Sequence, residues 1–133
     1  MKITIYMEPV PKGRPRAAMK GGKMRVYTPS ATVHAENIIR DAIMEKLHPE
    51  ETIFDPGIPI KLTATFYRSR PKSLPKRVEL PVTRPDWDQY GKLLCDALEK
   101  FLYDNDSQIT SAIIKKRYGS PPRIELEMEE DNE

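Results

Sequence analysis

RPDWDQYGKLLCDALEKFLYDNDSQI, residues 84–109, is the stretch around which the rest of the chain is read. It opens with two carboxylates one residue apart, Asp86 and Asp88, and Lys92 follows one helical turn after the second. Leu93, Leu94, Ala97, Leu98 and Phe101 recur at three- and four-residue spacing, which predicts a helix from Trp87 to about Leu102 with one buried stripe. Asp88, Lys92, Asp96 and Glu99 share the spacing on the opposite side, and Cys95 sits beside the stripe as a small hydrophobe. The run closes on an acidic knot, Asp104, Asn105 and Asp106. Carboxylates repel one another, so a fold that gathers several of them supplies a cation or a shared proton. Hard oxygen donors select Mg²⁺ or Mn²⁺ over zinc.

Two readings of Asp86 and Asp88 fit this spacing equally. In extended backbone, residues i and i+2 point the same way, so both carboxylates reach one cation. Alternatively they cap the helix N-terminus, where aspartate is favoured, and Asp104 and Asp106 merely decorate a turn. Lys92 falls beside Asp88 on the helix, as an ion-pair partner or as a group that holds a phosphate. Asp106 joins them only if the next strand runs back past Asp86.

On the N-terminal side, Ile60, Leu62, Ala64 and Phe66 alternate with polar residues as a half-buried strand. Arg68, Arg70, Lys72, Lys76 and Arg77 follow in a proline-broken basic loop. Further back, Thr28-Pro29-Ser30 starts a helix of about 17 residues whose apolar face is Ala35, Ile38, Ile39, Ala42, Ile43 and Leu47. His34 and His48 stand at its opposite ends, too far apart to share a ligand, and carry no chemistry. Lys2 to Met7 alternates as a first strand. The twenty residues after it, EPVPKGRPRAAMKGGKMRVY, hold three prolines, three glycines and six basic residues, which predicts a long basic loop. Both basic loops follow strands, so one edge of the sheet can present them together.

On the C-terminal side, Ser111 to Tyr118 and Arg123 to Met128 read as strands, joined as a hairpin at Gly119-Ser120-Pro121-Pro122. The order β-α-β-α-β-β predicts an α/β (α+β) domain, a small mixed sheet of about four strands with two helices packed on it. At 133 residues the chain forms one domain, 1–133, with an acidic, disordered tail at about 129–133. No apolar run approaches the roughly 20 residues that span a bilayer, and the opening residues show no signal peptide. One cysteine excludes an intrachain disulfide and any Cys-based zinc cluster. Together these features place the protein in the cytoplasm. The net charge of +2 hides an asymmetry: residues 1–30 carry seven Lys or Arg and one acid, while Glu125 to the end carries six acids and no base. Charge segregated in this way suits a polyanionic partner. Acids that bind a cation beside bases that bind phosphate suit phosphodiester hydrolysis.

Pro85-Asp86-Trp87-Asp88-Gln89-Tyr90-Gly91-Lys92, then Asp96-Ala97-Leu98, then Asp104-Asn105-Asp106-Ser107-Gln108-Ile109, resembles the signature of the RusA family of Holliday junction resolvases, close to P-D-x-D-N-x-x-K, D-A-L and D-D-x-Q-[IV]. Lys12-Gly13-Arg14-Pro15-Arg16 and the Tyr27-Thr28-Pro29 helix start are also similar to family members, so the likeness covers nearly the whole chain. The resemblance implies Asp86, Asp88 and Asp106 as metal-binding acids and Lys92 as the essential lysine. It also implies an Mg²⁺-dependent homodimer that nicks opposed strands of a four-way DNA junction. Gln89 stands where asparagine is usual and Asn105 where the first aspartate of D-D is usual; neither is one of the four matched positions. Lys12, Arg14 and Arg16 are the first candidates for DNA contact, followed by Lys20, Lys23, Arg25 and Arg70. Two other functions fit the same residues: a branched-DNA-binding protein without catalysis, and a metal-dependent hydrolase of small phosphate esters.

Overall fold

The computed structural model describes residues 1–47 and 54–133, so His48 lies outside the described residues. Eight regular elements follow in order: β1 (Lys2–Ile5), β2 (Arg16–Lys20), β3 (Lys23–Tyr27), α1 (Ser30–Lys46), β4 (Ile60–Arg68), α2 (Trp87–Leu98), β5 (Ile109–Tyr118) and β6 (Arg123–Glu130). Four of the strands form a mixed sheet in the order β1-β6-β4-β5, and β2 and β3 form a separate two-stranded ribbon. The α/β class, the four-stranded mixed sheet and the two helices are those expected from the sequence.

β4 lies at the centre because its alternation is the cleanest: Ile60, Leu62, Ala64 and Phe66 are all buried. It pairs parallel with β5 and antiparallel with β6, while β1 pairs antiparallel with β6. Ile124, Leu126 and Met128 of β6 and Ile3 and Ile5 of β1 extend the same buried face. Both helices cover it. α1 contributes Ala35, Ile39 and Ile43, and α2 contributes Leu93, Leu94, Ala97 and Leu98. Phe66 stacks on Tyr90 of α2 with ring centroids 5.1 Å apart and planes 9° from parallel, a close offset contact that locks helix to sheet.

Four expectations change. Residues 16–27 are not a loop: the prolines lie before the ribbon, at 9, 11 and 15, and leave Arg16–Lys20 and Lys23–Tyr27 free to pair. Gly21 and Gly22, at φ 61° and 76°, make the two-residue turn whose twist matches its strands. β5 and β6 are not a hairpin, because β4 lies between them. α2 ends at Leu98 rather than near Leu102, since Glu99 is extended and Lys100 adopts a left-handed φ of 65°. Finally, the acidic tail is partly structured. Glu129 and Glu130 pair with Lys61 and Ile60 of β4, and the Asp131 carboxylate accepts from the Thr110 and Ser111 hydroxyls at 2.7 and 2.9 Å. Backbone pairing to a central strand outweighs the local charge there.

β1, β4 and β5 run the same way, so the segments after β1 and β4 leave one end of the sheet together. Glu8 fastens them, accepting from the Ser69 N–H at 2.9 Å and the Ser69 hydroxyl at 2.8 Å.

Candidate active site

The approach to α2 is fixed by cations from the sheet. Arg68 donates to the Arg84 carbonyl at 3.0 Å, and Lys116 donates to the carbonyls of Thr83 and Pro85 at 2.9 and 2.8 Å. Asp86 then takes the N-cap position of α2, and Gln89 Oε1 accepts its N–H at 3.3 Å. Capping, one of the two readings of the aspartate pair, therefore describes the backbone at Asp86. It also shows why glutamine works at position 89: its longer arm reaches back to the cap.

Asp88 lies in the first turn and Lys92 in the next, along an open groove of about 320 Å³ between α2 and β5. Cys95 and Asp106 line the same groove, over an apolar floor that includes Leu62, Ile109 and Ile114. Asp106 opens a short 3-10 turn, Asp106–Gln108, immediately before β5. Asn105 caps that turn by accepting the Ser107 N–H at 2.9 Å, so an amide serves the backbone there as well as a carboxylate would. Gln108, buried, accepts the N–H groups of Asp104 and Asn105 at 2.9 and 3.0 Å and donates to the carbonyls of Asp55 and Ile58. The whole acidic turn is thereby held rigid. Asp104 turns away from it, paired with exposed Lys100 at 2.9 Å.

The Asp106 carboxylate accepts from the Tyr103 hydroxyl at 2.6 Å, and its N–H donates to Glu99 at 3.4 Å. One carboxylate oxygen each from Asp96, Glu99 and Asp106 lie within 4.8 Å of one another. Lys92 Nζ stands 3.0 Å from Asp96 and 3.7 Å from Asp106. On the other side of Asp96, Lys12 Nζ approaches to 2.9 Å and also meets buried Glu36 of α1 at 3.5 Å. A ladder of alternating charge, Glu36–Lys12–Asp96–Lys92–Asp106, thus crosses from α1 through α2 to the start of β5.

This ladder shifts the titration of Asp96 and Lys92. Burial alone pushes the Asp96 carboxyl up, but hydrogen bonds from Lys12 and Lys92 outweigh it and hold the group below its ordinary value. Lys92 is raised by its hydrogen bond to Asp96, with Asp106 adding to the effect. Burial, then the charge of Asp106, pushes the Cys95 thiol up to about 11, so at neutral pH it is a protonated wall of the groove rather than a nucleophile. Tyr103 is likewise raised, by burial and by its bond to Asp106.

Asp86 and Asp106 are placed toward opposite ends of α2, a helix of 12 residues and therefore about 18 Å long. Asp88 is the member of the Asp86/Asp88 pair that shares the groove with Asp106 and Lys92. The carboxylates that meet Asp106 are Asp96 and Glu99. Their signal was present in the sequence: with Lys92 they are spaced at four and three residues, on one helical face. What spacing alone could not supply was the return of Asp106 to that face. Three converging carboxylates offer hard oxygen donors, and so fit Mg²⁺ or Mn²⁺.

The expected DNA contacts divide. Lys12 is engaged with Asp96 and Glu36. Arg70 donates to the Val78 and Pro75 carbonyls at 2.6 and 2.7 Å and lies over the Tyr118 ring, so it braces the second basic loop. Arg14, Arg16, Lys20, Lys23 and Arg25 are exposed. The ribbon that carries the last four is rooted on α1 and the first turn of α2. The Lys12 N–H donates to the Gln89 carbonyl at 2.9 Å, and the Gly13 N–H donates to buried Thr32 Oγ1 at 3.0 Å. A Cβ at Gly13 would stand 2.6 Å from that hydroxyl, so only glycine permits the approach.

No helix among the described residues is long and apolar enough to cross a membrane. Comparison with known proteins finds the family described as endodeoxyribonuclease RusA matching residues 7–129. The chain is also similar to the uncharacterized protein YqaN of Bacillus subtilis (strain 168), 32% identical over 140 residues that cover 98% of this chain and 96% of the relative.

Proposed function

The chain belongs to the RusA endodeoxyribonuclease family, and from that premise we propose that it is a metal-dependent, structure-selective endonuclease that resolves four-way DNA junctions by paired symmetric nicks in recombination and repair. The observation that carries this reading is the shared groove: Asp88, Lys92 and Asp106, matched to the family's signature, line one cleft. Asp88 and Asp106 would hold Mg²⁺ or Mn²⁺ with Asp96 and Glu99 alongside, and Asp86, at the N-cap of α2, would join them as the third acid of the family signature. A divalent cation in such a site offsets charge on the scissile phosphate and activates water. Lys92, already oriented by Asp96, holds the phosphate or steadies the departing oxygen. Lys12 and Asp96 keep Lys92 in place. A homodimer acting in the cytoplasm supplies the two symmetry-related sites that paired nicks require.

The test is cleavage of a synthetic mobile four-way junction, with nicks mapped on all four strands in Mg²⁺, in Mn²⁺ and in EDTA. We expect opposed nicks that vanish in EDTA, and binding without cutting for Asp106→Asn. Asp96→Asn should cut about 10- to 100-fold more slowly, the usual cost of losing a group that orients a metal site. Absence of cutting with either cation would leave a junction-binding protein without catalysis. Equal cutting of linear duplex, or turnover of small phosphate esters, would favour a less selective phosphohydrolase.

A further inference from the structure

The β2–β3 ribbon has two chemically distinct faces. Its cross-strand partners are Arg16 with Tyr27, Ala17 with Val26, Ala18 with Arg25, Met19 with Met24, and Lys20 with Lys23. Opposed residues share a face and successive residues alternate. One face therefore carries Arg16, Arg25, Lys20 and Lys23. The other carries Ala17, Val26, Met19 and Met24 and no charge. Nothing covers the apolar face within the described chain: Met19, Met24 and Val26 are 68%, 70% and 73% exposed. A lone two-stranded ribbon is marginal in water, so one that keeps its apolar side bare is made for a partner.

Charge identifies that partner. Between Glu8 and Glu36 the sequence has six Lys or Arg and no acid, a surface for phosphates. A second copy fits poorly. Four side chains, two of them no larger than valine, fall well short of the about 800 Å² per partner of a stable interface. Nucleic acid suits both faces. A two-stranded ribbon fits a DNA groove, and methionine is among the side chains that wedge against base steps.

We propose that the β2–β3 ribbon is a DNA wedge, with Arg16, Lys20, Lys23 and Arg25 on the phosphates and the Met19–Met24 pair resting on bases unstacked at a branch point. This rests on the junction-cleaving function proposed above and names how that substrate is distinguished from duplex. The Gly21-Gly22 turn makes the tip narrow, and the anchors at Lys12 and Gly13 set the ribbon's root against α1 and α2.

The test compares the full-length protein with Met19→Ser/Met24→Ser, binding an immobile four-way junction and a linear duplex of the same sequence, each without divalent cation. A 2-aminopurine at the branch point reports unstacking. The double variant should lose about tenfold in junction affinity and the 2-aminopurine signal, while duplex affinity is unchanged. Equal loss on both DNAs, or no loss on either, overturns the wedge. So does a fall in oligomeric mass by light scattering in the variant, which would assign the apolar face to a second copy. A wild type that cuts junctions while the variant binds and cuts them equally well refutes the wedge alone. A wild type that shows methionine-dependent junction preference and never cuts refutes the catalytic function alone.

Discussion

Lys92 is the side chain on which most of the site's electrostatics converge. Asp96 at 3.0 Å and Asp106 at 3.7 Å hold its ammonium over the groove. The direction of its shift has a consequence for pH. A lysine raised above 10.5 contributes stability that is complete below that ordinary value and is lost as pH rises through the higher folded one. Asp96, lowered from 3.8, contributes stability present above that value and lost as pH falls through the lower folded one. The pair is therefore intact throughout the neutral range, and pH changes between about 5 and 9 should not loosen it. Replacing Asp96 with Asn removes the main cause of the Lys92 shift. In an NMR titration of the lysine side chains, the Lys92 midpoint should move down in that variant; an unmoved midpoint would mean that Asp96 does not hold it. The Lys92–Asp96 pairing was legible in the sequence as a four-residue spacing. The second cation on Asp96 was not, since Lys12 comes from 84 residues earlier.

Among the elements, β4 does the most to hold the site together. It carries the buried alternation Ile60, Leu62, Ala64, Phe66, lies between β5 and β6, and supplies Leu62 to the floor of the groove. Phe66 is the residue through which β4 grips α2, by its stack on Tyr90. Phe66→Ala should cost about 3–5 kcal/mol, the range for emptying a fully buried aromatic position, read as a fall in the urea midpoint with an unchanged slope. A loss well under 1 kcal/mol would mean that the core there repacks freely. The alternation of β4 was plain in the sequence, as was the 17-residue length of α1. The apparent hairpin of β5 and β6 misled because a Gly-Pro turn between two strands records only that the chain reverses. It does not record which strand slots into the space between them.

Over the whole molecule, charge is sorted by side. The ribbon and the loop after β4 are cationic and leave the same end of the sheet. Glu125, Glu127 and Glu129 alternate with the buried residues of β6 and occupy the sheet face away from the helices. Such a molecule should meet a polyanion in one orientation, with binding that weakens steeply as salt rises. Each phosphate contact contributes about 0.9 to the slope of log affinity against log salt on duplex DNA. Lys20→Ala/Lys23→Ala should therefore flatten that slope by about 2, measured by fluorescence anisotropy across a salt series. An unaltered slope would show that the ribbon's tip stays clear of the phosphates.

The sequence by itself determined the class of fold, the two helices, the central strand and the acid–lysine signature of residues 84–109, because periodicity and short motifs are properties of neighbours along the chain. Only the tertiary structure decided which acids face one another. Asp106 returns to the last turns of α2, beside Asp96 and Glu99, while Asp86 is held at the helix's N-cap. Only the structure, too, turned a basic loop into a two-faced ribbon and drew Lys12 out of it into the ion-pair ladder. The physical reason is the same in each case. A carboxylate's partners are set by distances of a few ångströms across elements far apart in sequence, and those distances follow from packing around β4 rather than from local spacing.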